Sequence, residues 1–265
     1  MKLHIIGIDL QNDFCQPDGK LSVPKALDAA INVANMIKRL ENKIDDIHLT
    51  QDSHHEVHVA HPIYWKDSKG NHPNPFTIIT SQEIKDGKWT TTKPYLFKKA
   101  FEYVETLEKN GRYPLCIWPP HCLIGSPGHN IVPEVWEAVH NWEVNQFASV
   151  NYVTKGSNHH TEHYSAIQAD VPDPGDPTTQ INTDFLNMLL EADIIAATGI
   201  AGSHCLANTM RDIVKYFNNP DFVKKIVFLE DATAPVPGFE HLQDQFVKDL
   251  TKEGMQVSNT KDFLV

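Results

Sequence analysis

No part of this 265-residue chain is basic enough to hold a polyanion, since 23 Lys and Arg face 34 Asp and Glu for a formal net charge of −11. Clusters of Lys or Arg interleaved with aromatic residues are missing as well, which argues against nucleic acid and against an anionic membrane as partners. No apolar run approaches the roughly 18 residues of a membrane span. The N-terminal run through Ile5, Ile6 and Ile8 is too short for a signal sequence and soon meets Asp9, Asn12 and Asp13. The four cysteines, Cys15, Cys116, Cys122 and Cys205, lack the paired spacing of a zinc ribbon or thioredoxin motif and are too few for a disulfide scaffold. The expectation is a cytoplasmic chain with reduced thiols. No Gly-x-Gly-x-x-Gly follows the first apolar run, which removes dinucleotide binding, and no internal repeat or low-complexity tract is present. Small-molecule chemistry is what these absences leave.

What the chain does have is a 41% hydrophobic content, ordinary for a globular protein, arranged as short apolar runs alternating with longer segments of helical period. That alternation predicts a parallel sheet covered by helices on both faces. The strand candidates are Leu3–Asp9, Asp46–Thr50, Leu115–Trp118, Ala148–Thr154, Asp193–Thr198 and Lys225–Leu229. Helices are expected at Pro24–Glu41, Leu96–Lys109, Val132–Asn145, Thr183–Glu191, Ser203–Phe217 and His241–Lys252, with Pro24 in a first turn where a missing N–H costs nothing. The fold class is therefore α/β: a three-layer, doubly wound, mainly parallel six-stranded sheet. Residues 1–265 read as a single domain, interrupted at about 62–112 by an insertion rich in Lys, Pro, Gly and Thr.

In an open parallel sheet, ligands bind beyond the carboxyl ends of the strands. On that rule, strand ends deliver Asp9, then Asp52 and His54, then Trp118 shortly before His121, then Lys155, then Gly199-Ile-Ala-Gly-Ser-His-Cys205. Cys205 falls in the first turn of a helix, where free N–H groups and the positive dipole end favour a thiolate and can also hold an oxyanion. Asp9, emerging from a buried strand, suits a general base for that thiol, and Lys155 can balance the neighbouring negative charges. The competing structural readings are a small buried thiol, a turn aspartate and an exposed strand-end lysine.

Between Gln51 and His61, one aspartate, one glutamate and four histidines fall within eleven residues. The spacing is not the helical His-Glu-x-x-His of zinc proteases, because Glu56 sits two residues after His54. Asp52 and His54, two apart in an extended segment, project to one side and can share an ion with His121. His58 is a candidate fourth ligand. His55 and His61 read as solvent-facing or outer-layer histidines.

Taken together, Ile8-Asp-Leu-Gln-Asn-Asp-Phe-Cys15, Gln51-Asp-Ser-His54 with His58, Trp118-Pro-Pro-His-Cys122 with Gly125-Ser-Pro-Gly128, Lys155-Gly with Tyr164-Ser-Ala-Ile167, and Gly199-Ile-Ala-Gly-Ser-His-Cys205 resemble the isochorismatase-like cysteine hydrolases, and among them the nicotinamidases. The resemblance implies an Asp9, Lys155, Cys205 triad and an ion held by Asp52, His54 and His121, most readily zinc, with iron or manganese as alternatives. It implies an oxyanion hole from the N–H groups of Ala201 and Cys205 beside a cis peptide at Ile200–Ala201, and a ring-binding pocket with Phe14, Trp118 and Tyr164. The reaction it implies is hydrolysis of nicotinamide to nicotinate and ammonia through a thioester, as part of pyridine-nucleotide salvage. It leaves a homo-oligomer open as the assembly.

Two other readings stand beside it. One is a related cysteine hydrolase acting on a ureido, carbamoyl or biuret-like amide. The other is a non-catalytic ion-binding module of receiver type, which leaves the thiol and the imidazoles unexplained because such sites prefer oxygen ligands for Mg²⁺.

Overall fold

The computed structural model describes all residues from Met1 to Val265. Its centre is β1 (Leu3–Ile8), an apolar strand in which every residue is buried. β1 pairs in parallel with β2 (Ile44–Asp52) on one side and with β4 (Ile194–Ile200) on the other. β3 (Asn151–Lys155) extends the sheet beyond β2, while β5 (Ile226–Ala234) and β6 (Gln256–Ser258) extend it beyond β4. The order is β6-β5-β4-β1-β2-β3, with every pairing parallel.

Successive side chains of a strand point to opposite faces, and β1 feeds two cores accordingly. Leu3 and Ile5 pack into the cluster beneath α1 (Ala26–Leu40) and α3 (Pro133–Gln146). Ile6 and Ile8 pack into the cluster beneath α4 (Thr183–Leu190), α5 (Cys205–Phe217) and α6 (Glu240–Glu253). None of these helices is long and apolar enough to cross a membrane.

The six-stranded doubly wound sheet agrees with the sequence, but its membership differs at one strand. Leu115–Trp118 does not join it: only Leu115–Cys116 is extended, and it pairs antiparallel with Ile78–Ile79. Pro119 and Pro120 follow at once and have no N–H to donate to a ladder, and the place beside β2 belongs to β3. The sixth strand is instead Gln256–Ser258 at the sheet edge, where Gln256 and Val257 are exposed and no apolar run marks it. A smaller difference lies at α1, which starts at Ala26 after Lys25 turns through the left-handed region with φ 67, so Pro24 precedes the first turn.

The segment from 62 to 112 has structure of its own. Trp65–Lys66 pairs with Thr90–Thr91, Thr80 and Glu83 form a capping box on the helical turn Ser81–Lys85, and α2 (Phe97–Asn110) follows. Trp65, Ile79, Tyr103, Val104 and Leu107 join the same core as α1 and α3.

At the end of β4 the backbone of Gly199 takes φ +113, and a Cβ there would lie 2.1 Å from the carbonyl oxygen of Ile8 in β1. No side chain fits between the two central strands at this point, just before the loop that leads to Cys205. Gly199→Ala is expected to lower the unfolding free energy by about 3 kcal/mol or more, because it adds both a clash and a strained φ. Urea unfolding followed by circular dichroism checks this, and an unchanged midpoint would contradict it.

Candidate active site

Five chain segments converge at the carboxyl edge of the sheet. Asp9 follows β1 with φ 46, a left-handed conformation that aspartate tolerates better than most residues. It is fully buried, its backbone N–H donates to Thr50 Oγ1 at 3.0 Å, and its carboxylate accepts the Thr50 hydroxyl proton. Lys155 closes β3 with its ammonium also buried. Its Nζ lies 2.8 Å from Asp9 Oδ2, 3.1 Å from Asp52 Oδ1 and 3.6 Å from Cys205 Sγ. Cys205 is the first residue of α5, so its N–H has no partner within the helix. The peptide between Ile200 and Ala201 is cis, and the backbone turns there to bring Ala201 and Cys205 to the same pocket.

The three expected ion ligands also meet. Asp52 Oδ2 lies 3.1 Å from His54 Nε2 and 3.4 Å from His121 Nε2, and one ligand atom from each residue falls within 4.8 Å of the other two. His54 Nδ1 faces the Gly156 carbonyl at 3.0 Å and His121 Nδ1 faces the Pro119 carbonyl at 2.8 Å. A carbonyl can only accept, so each Nδ1 carries a proton and each Nε2 turns its lone pair toward Asp52 unless it is protonated as well. Two imidazole nitrogens and a buried carboxylate oxygen converging in this way fit a divalent transition metal. The alternative tenant of that space is a proton: burial disfavours charge on His54, but the adjacent Asp52 outweighs it and pushes the ring up to about 9. Asp52 itself is held well below the ordinary carboxylate range, burial opposing and His54 and Lys155 prevailing.

Neighbouring residues fix these groups in place. The Gln11 side chain bonds both ways with the Asp52 backbone, donating to its O and accepting from its N at 2.8 Å each. Asp13 Oδ2 accepts from Cys122 N at 2.7 Å and so ties the His121 loop to the segment after β1. Gly156 has φ +85, and a Cβ there would meet Asp52 Oδ1 at 2.8 Å and His54 at 2.9 Å. These are the physical contents of the Asp-Leu-Gln-Asn-Asp and Lys-Gly motifs.

His58 is not in the Asp52, His54, His121 group, but it forms a second one with His54 and Glu162, whose ligand atoms also lie within 4.8 Å of one another. Its Nδ1 accepts from Ala60 N at 3.2 Å and its Nε2 faces the Thr161 carbonyl at 3.2 Å, so both ring nitrogens are occupied within the protein. The ring packs against His54 at 4.4 Å between centroids, beside Glu162. His61 is fully buried rather than solvent-facing, with its ring 5.4 Å from that of His54, whereas His55 is exposed. The rings expected around a substrate are all present: Phe14, Trp118 and Tyr164 line the cavity above Cys205, and Trp118 Nε1 donates to the Tyr164 hydroxyl at 2.9 Å.

Five lining residues escaped the sequence reading, the apolar Leu21, Val23 and Val236 and the polar Glu162 and His204. Glu162 is buried 3.9 Å from His54 Nε2, and His204 immediately precedes Cys205 in the cavity wall. Neither sits in a spacing that marks it, and only the fold brings them to the cavity.

The thiol differs from the expectation for a helix N-terminus. Burial raises Cys205 well above the ordinary thiol value, and the nearby Asp9 and Asp52 add to this against the pull of Lys155. Burial likewise pushes up the Asp9 carboxyl against the opposing Lys155 charge. The thiol is thus held in its protonated form, and the raised Asp9 carboxyl beside it is suited to taking and returning a proton.

The six-stranded parallel sheet, its strand order and the strand-end cluster define the isochorismatase-like α/β fold. Solved structures similar to it along the whole chain include nicotinamidases and pyrazinamidases. The yeast nicotinamidase bound to the inhibitor nicotinaldehyde superposes with TM-score 0.66 at 18% identity, covering 97% of this chain and 99% of that one. A nicotinamidase/pyrazinamidase of Acinetobacter baumanii gives 0.65 at 21% identity, covering 99% and 98%. A pyrazinamidase of Pyrococcus horikoshii in complex with zinc gives 0.57 at 16% identity, covering 98% and 99%. In sequence, the chain is 24% identical to the nicotinamidase of Saccharomyces cerevisiae over 258 residues, 96% of each protein. No model of a protein family matches it. The likeness read from the motifs thus extends over the length of the chain.

Because burial outweighs Lys155 at the thiol, alkylation of Cys205 by iodoacetamide in the substrate-free protein is expected to keep accelerating above pH 9, as thiolate forms only there. Lys155→Met removes the one cation that lowers the thiol value and is expected to slow alkylation at every pH. Mass spectrometry of the labelled peptide reads both, and a rate that levels off below pH 8 would contradict the assignment.

Proposed function

We propose that the protein is a metal-containing cysteine amidase that hydrolyses nicotinamide to nicotinate and ammonia. The observation that carries this reading is the buried Lys155 ammonium within reach of Asp9, Asp52 and Cys205 together, which joins a nucleophile and its base to the ion site beneath an aromatic-walled cavity. A receiver-like module has no use for the thiol. An aliphatic ureido or carbamoyl substrate has no use for Phe14, Trp118 and Tyr164, so an aromatic amide is favoured.

In the proposed mechanism Asp9 takes the Cys205 proton as sulfur attacks the amide carbon. The Ala201 and Cys205 N–H groups receive the oxyanion, where a pair of donors is worth roughly 10²–10³-fold each. The C–N bond breaks as Asp9 returns the proton to the leaving nitrogen, and ammonia departs from a thioester on Cys205. Asp9 then accepts a proton from water, hydroxyl adds to the thioester, and the acid leaves as the thiol is regenerated. Lys155 holds the pair of carboxylates and the developing thiolate in charge balance throughout. Asp52, His54 and His121 would hold the metal, which supplies a Lewis-acid anchor for the ring nitrogen of the substrate. The zinc found with the Pyrococcus horikoshii pyrazinamidase is consistent with that donor set.

Ammonia release from nicotinamide is expected in the wild-type protein and is expected to fall by roughly 10⁴-fold or more in Cys205→Ala, because a nucleophile cannot be replaced by its neighbours. A coupled glutamate dehydrogenase assay measures it, and comparable release by the two proteins would sink the thiol mechanism. Separately, His121→Ala is expected to lower the transition metal bound per chain after gel filtration, read by elemental analysis, without unfolding the protein. Full retention of metal would remove His121 from the ligand set.

A further inference from the structure

His204 precedes the nucleophile and is buried, 4% exposed, in the wall of the same cavity. Its ring neighbours are Tyr113, Trp118, Tyr164 and Phe239, whereas the rings that meet His121 are Phe14, His54 and His61, so the two sets share no member. It therefore belongs to the part of the wall away from Asp52.

The protonation of this ring follows from its neighbour. Ser203 is fully buried, and its Oγ has two partners: the Val236 N–H at 3.0 Å and His204 Nδ1 at 2.9 Å. The Val236 N–H can only donate, so the sole acceptor for the Ser203 hydroxyl proton is His204 Nδ1. Nδ1 thus presents its lone pair, and the ring proton sits on Nε2. Burial pushes His204 down to about 4, so the ring is neutral at physiological pH and offers one donor. Nε2 has no partner in the protein, yet it is not sealed in. The cavity is what it opens onto.

The ring is also clamped. Tyr113 stacks on it with centroids 5.1 Å apart and planes 23° apart. The Tyr113 hydroxyl donates to the Ser203 carbonyl at 3.1 Å and accepts from Asn208 Nδ2 at 3.1 Å, and the same Asn208 nitrogen donates to the His204 carbonyl at 2.8 Å. An aromatic side chain that merely filled the wall would need neither a fixed tautomer nor an open donor.

We propose that His204 is a specificity-determining residue whose Nε2–H donates to a second acceptor on the substrate ring, away from Asp52 and His121, so that among the aromatic carboxamides the pocket accepts, nicotinamide included, those with a second ring acceptor are turned over more efficiently. This rests on the amidase reading above. A ring with C–H at that position leaves the donor unpaired in a largely apolar pocket, a loss on the order of tenfold. Pyrazinamide carries a second ring nitrogen and nicotinamide does not, so the two form the test pair.

The experiment compares kcat/KM for pyrazinamide and nicotinamide in the wild-type protein, His204→Phe and His204→Gln. The wild-type ratio is expected to favour pyrazinamide about tenfold. In His204→Phe the ratio is expected to collapse about tenfold, through KM for pyrazinamide, and His204→Gln, which keeps a side-chain donor, is expected to recover part of it. Independently, ¹⁵N-edited NMR is expected to show a His204 Nε2–H resonance that shifts when pyrazine-2-carboxylate is added. A ratio unchanged in His204→Phe, or a proton found on Nδ1, overturns the proposal. If the wild-type protein releases ammonia from neither amide, the amidase reading is what fails, and the NMR titration still decides the role of His204.

Discussion

Everything at the carboxyl edge of the sheet depends on one ammonium group. Lys155 is sealed from water between Asp9 and Asp52, within 3.1 Å of both. An unpaired charge in such a place costs several kcal/mol. Here the arrangement is mutual: two carboxylates that could not both ionise so close to each other are made tolerable by the cation they share. The consequence is a coupling of roles. Asp9 belongs to the thiol and Asp52 to the ion ligands, so the lysine makes the charge state of either half felt by the other.

The sheet topology explains how so few residues achieve this. Asp9, Asp52 and Lys155 end or follow three adjacent strands, β1, β2 and β3, and Cys205 follows β4 on the other side of β1. Parallel strands end on one edge, so side chains far apart in sequence arrive side by side without any loop having to reach for them. His121 is the exception. It comes from a loop outside the sheet, and its position rests on hydrogen bonds: His54 N to the Cys122 carbonyl at 3.1 Å, Ile124 N to the His54 carbonyl at 3.0 Å, and Asp13 to Cys122 N.

Much of this was legible in the sequence because strand ends are marked by a switch from apolar to polar residues, as in Ile8-Asp9 and Val153-Thr-Lys155. Asp9, Asp52, His54, Lys155 and Cys205 stand at or beyond the strand ends those switches imply, whereas His121 reaches the same place from a loop outside the sheet. Leu115–Trp118 misled because its apolar character comes from packing beneath the insertion rather than from the central sheet. Gln256–Ser258 was invisible for the opposite reason, since an exposed edge strand needs no apolar face. The status of His61 was hidden too: a histidine in a polar run looks solvated until the rings of His54, His58 and His121 gather around it. Glu162 and His204 depend on tertiary placement, and no local pattern separates them from ordinary turn and cap residues.

The central position of β1 also sets the order in which the molecule can assemble. Its partner on one side begins at Ile44, but on the other side Leu3 waits for Ile194. At 5–20 residues per second, the interval between making the two is roughly 10–40 s. Throughout it, one edge of a mostly apolar strand has no neighbour, and Cys205 has not been made. During synthesis, then, the hazard is a matter of timing rather than of final stability: the nascent chain carries an open strand edge until β4 arrives, and the stretch that closes it is continuous with the one that brings the nucleophile.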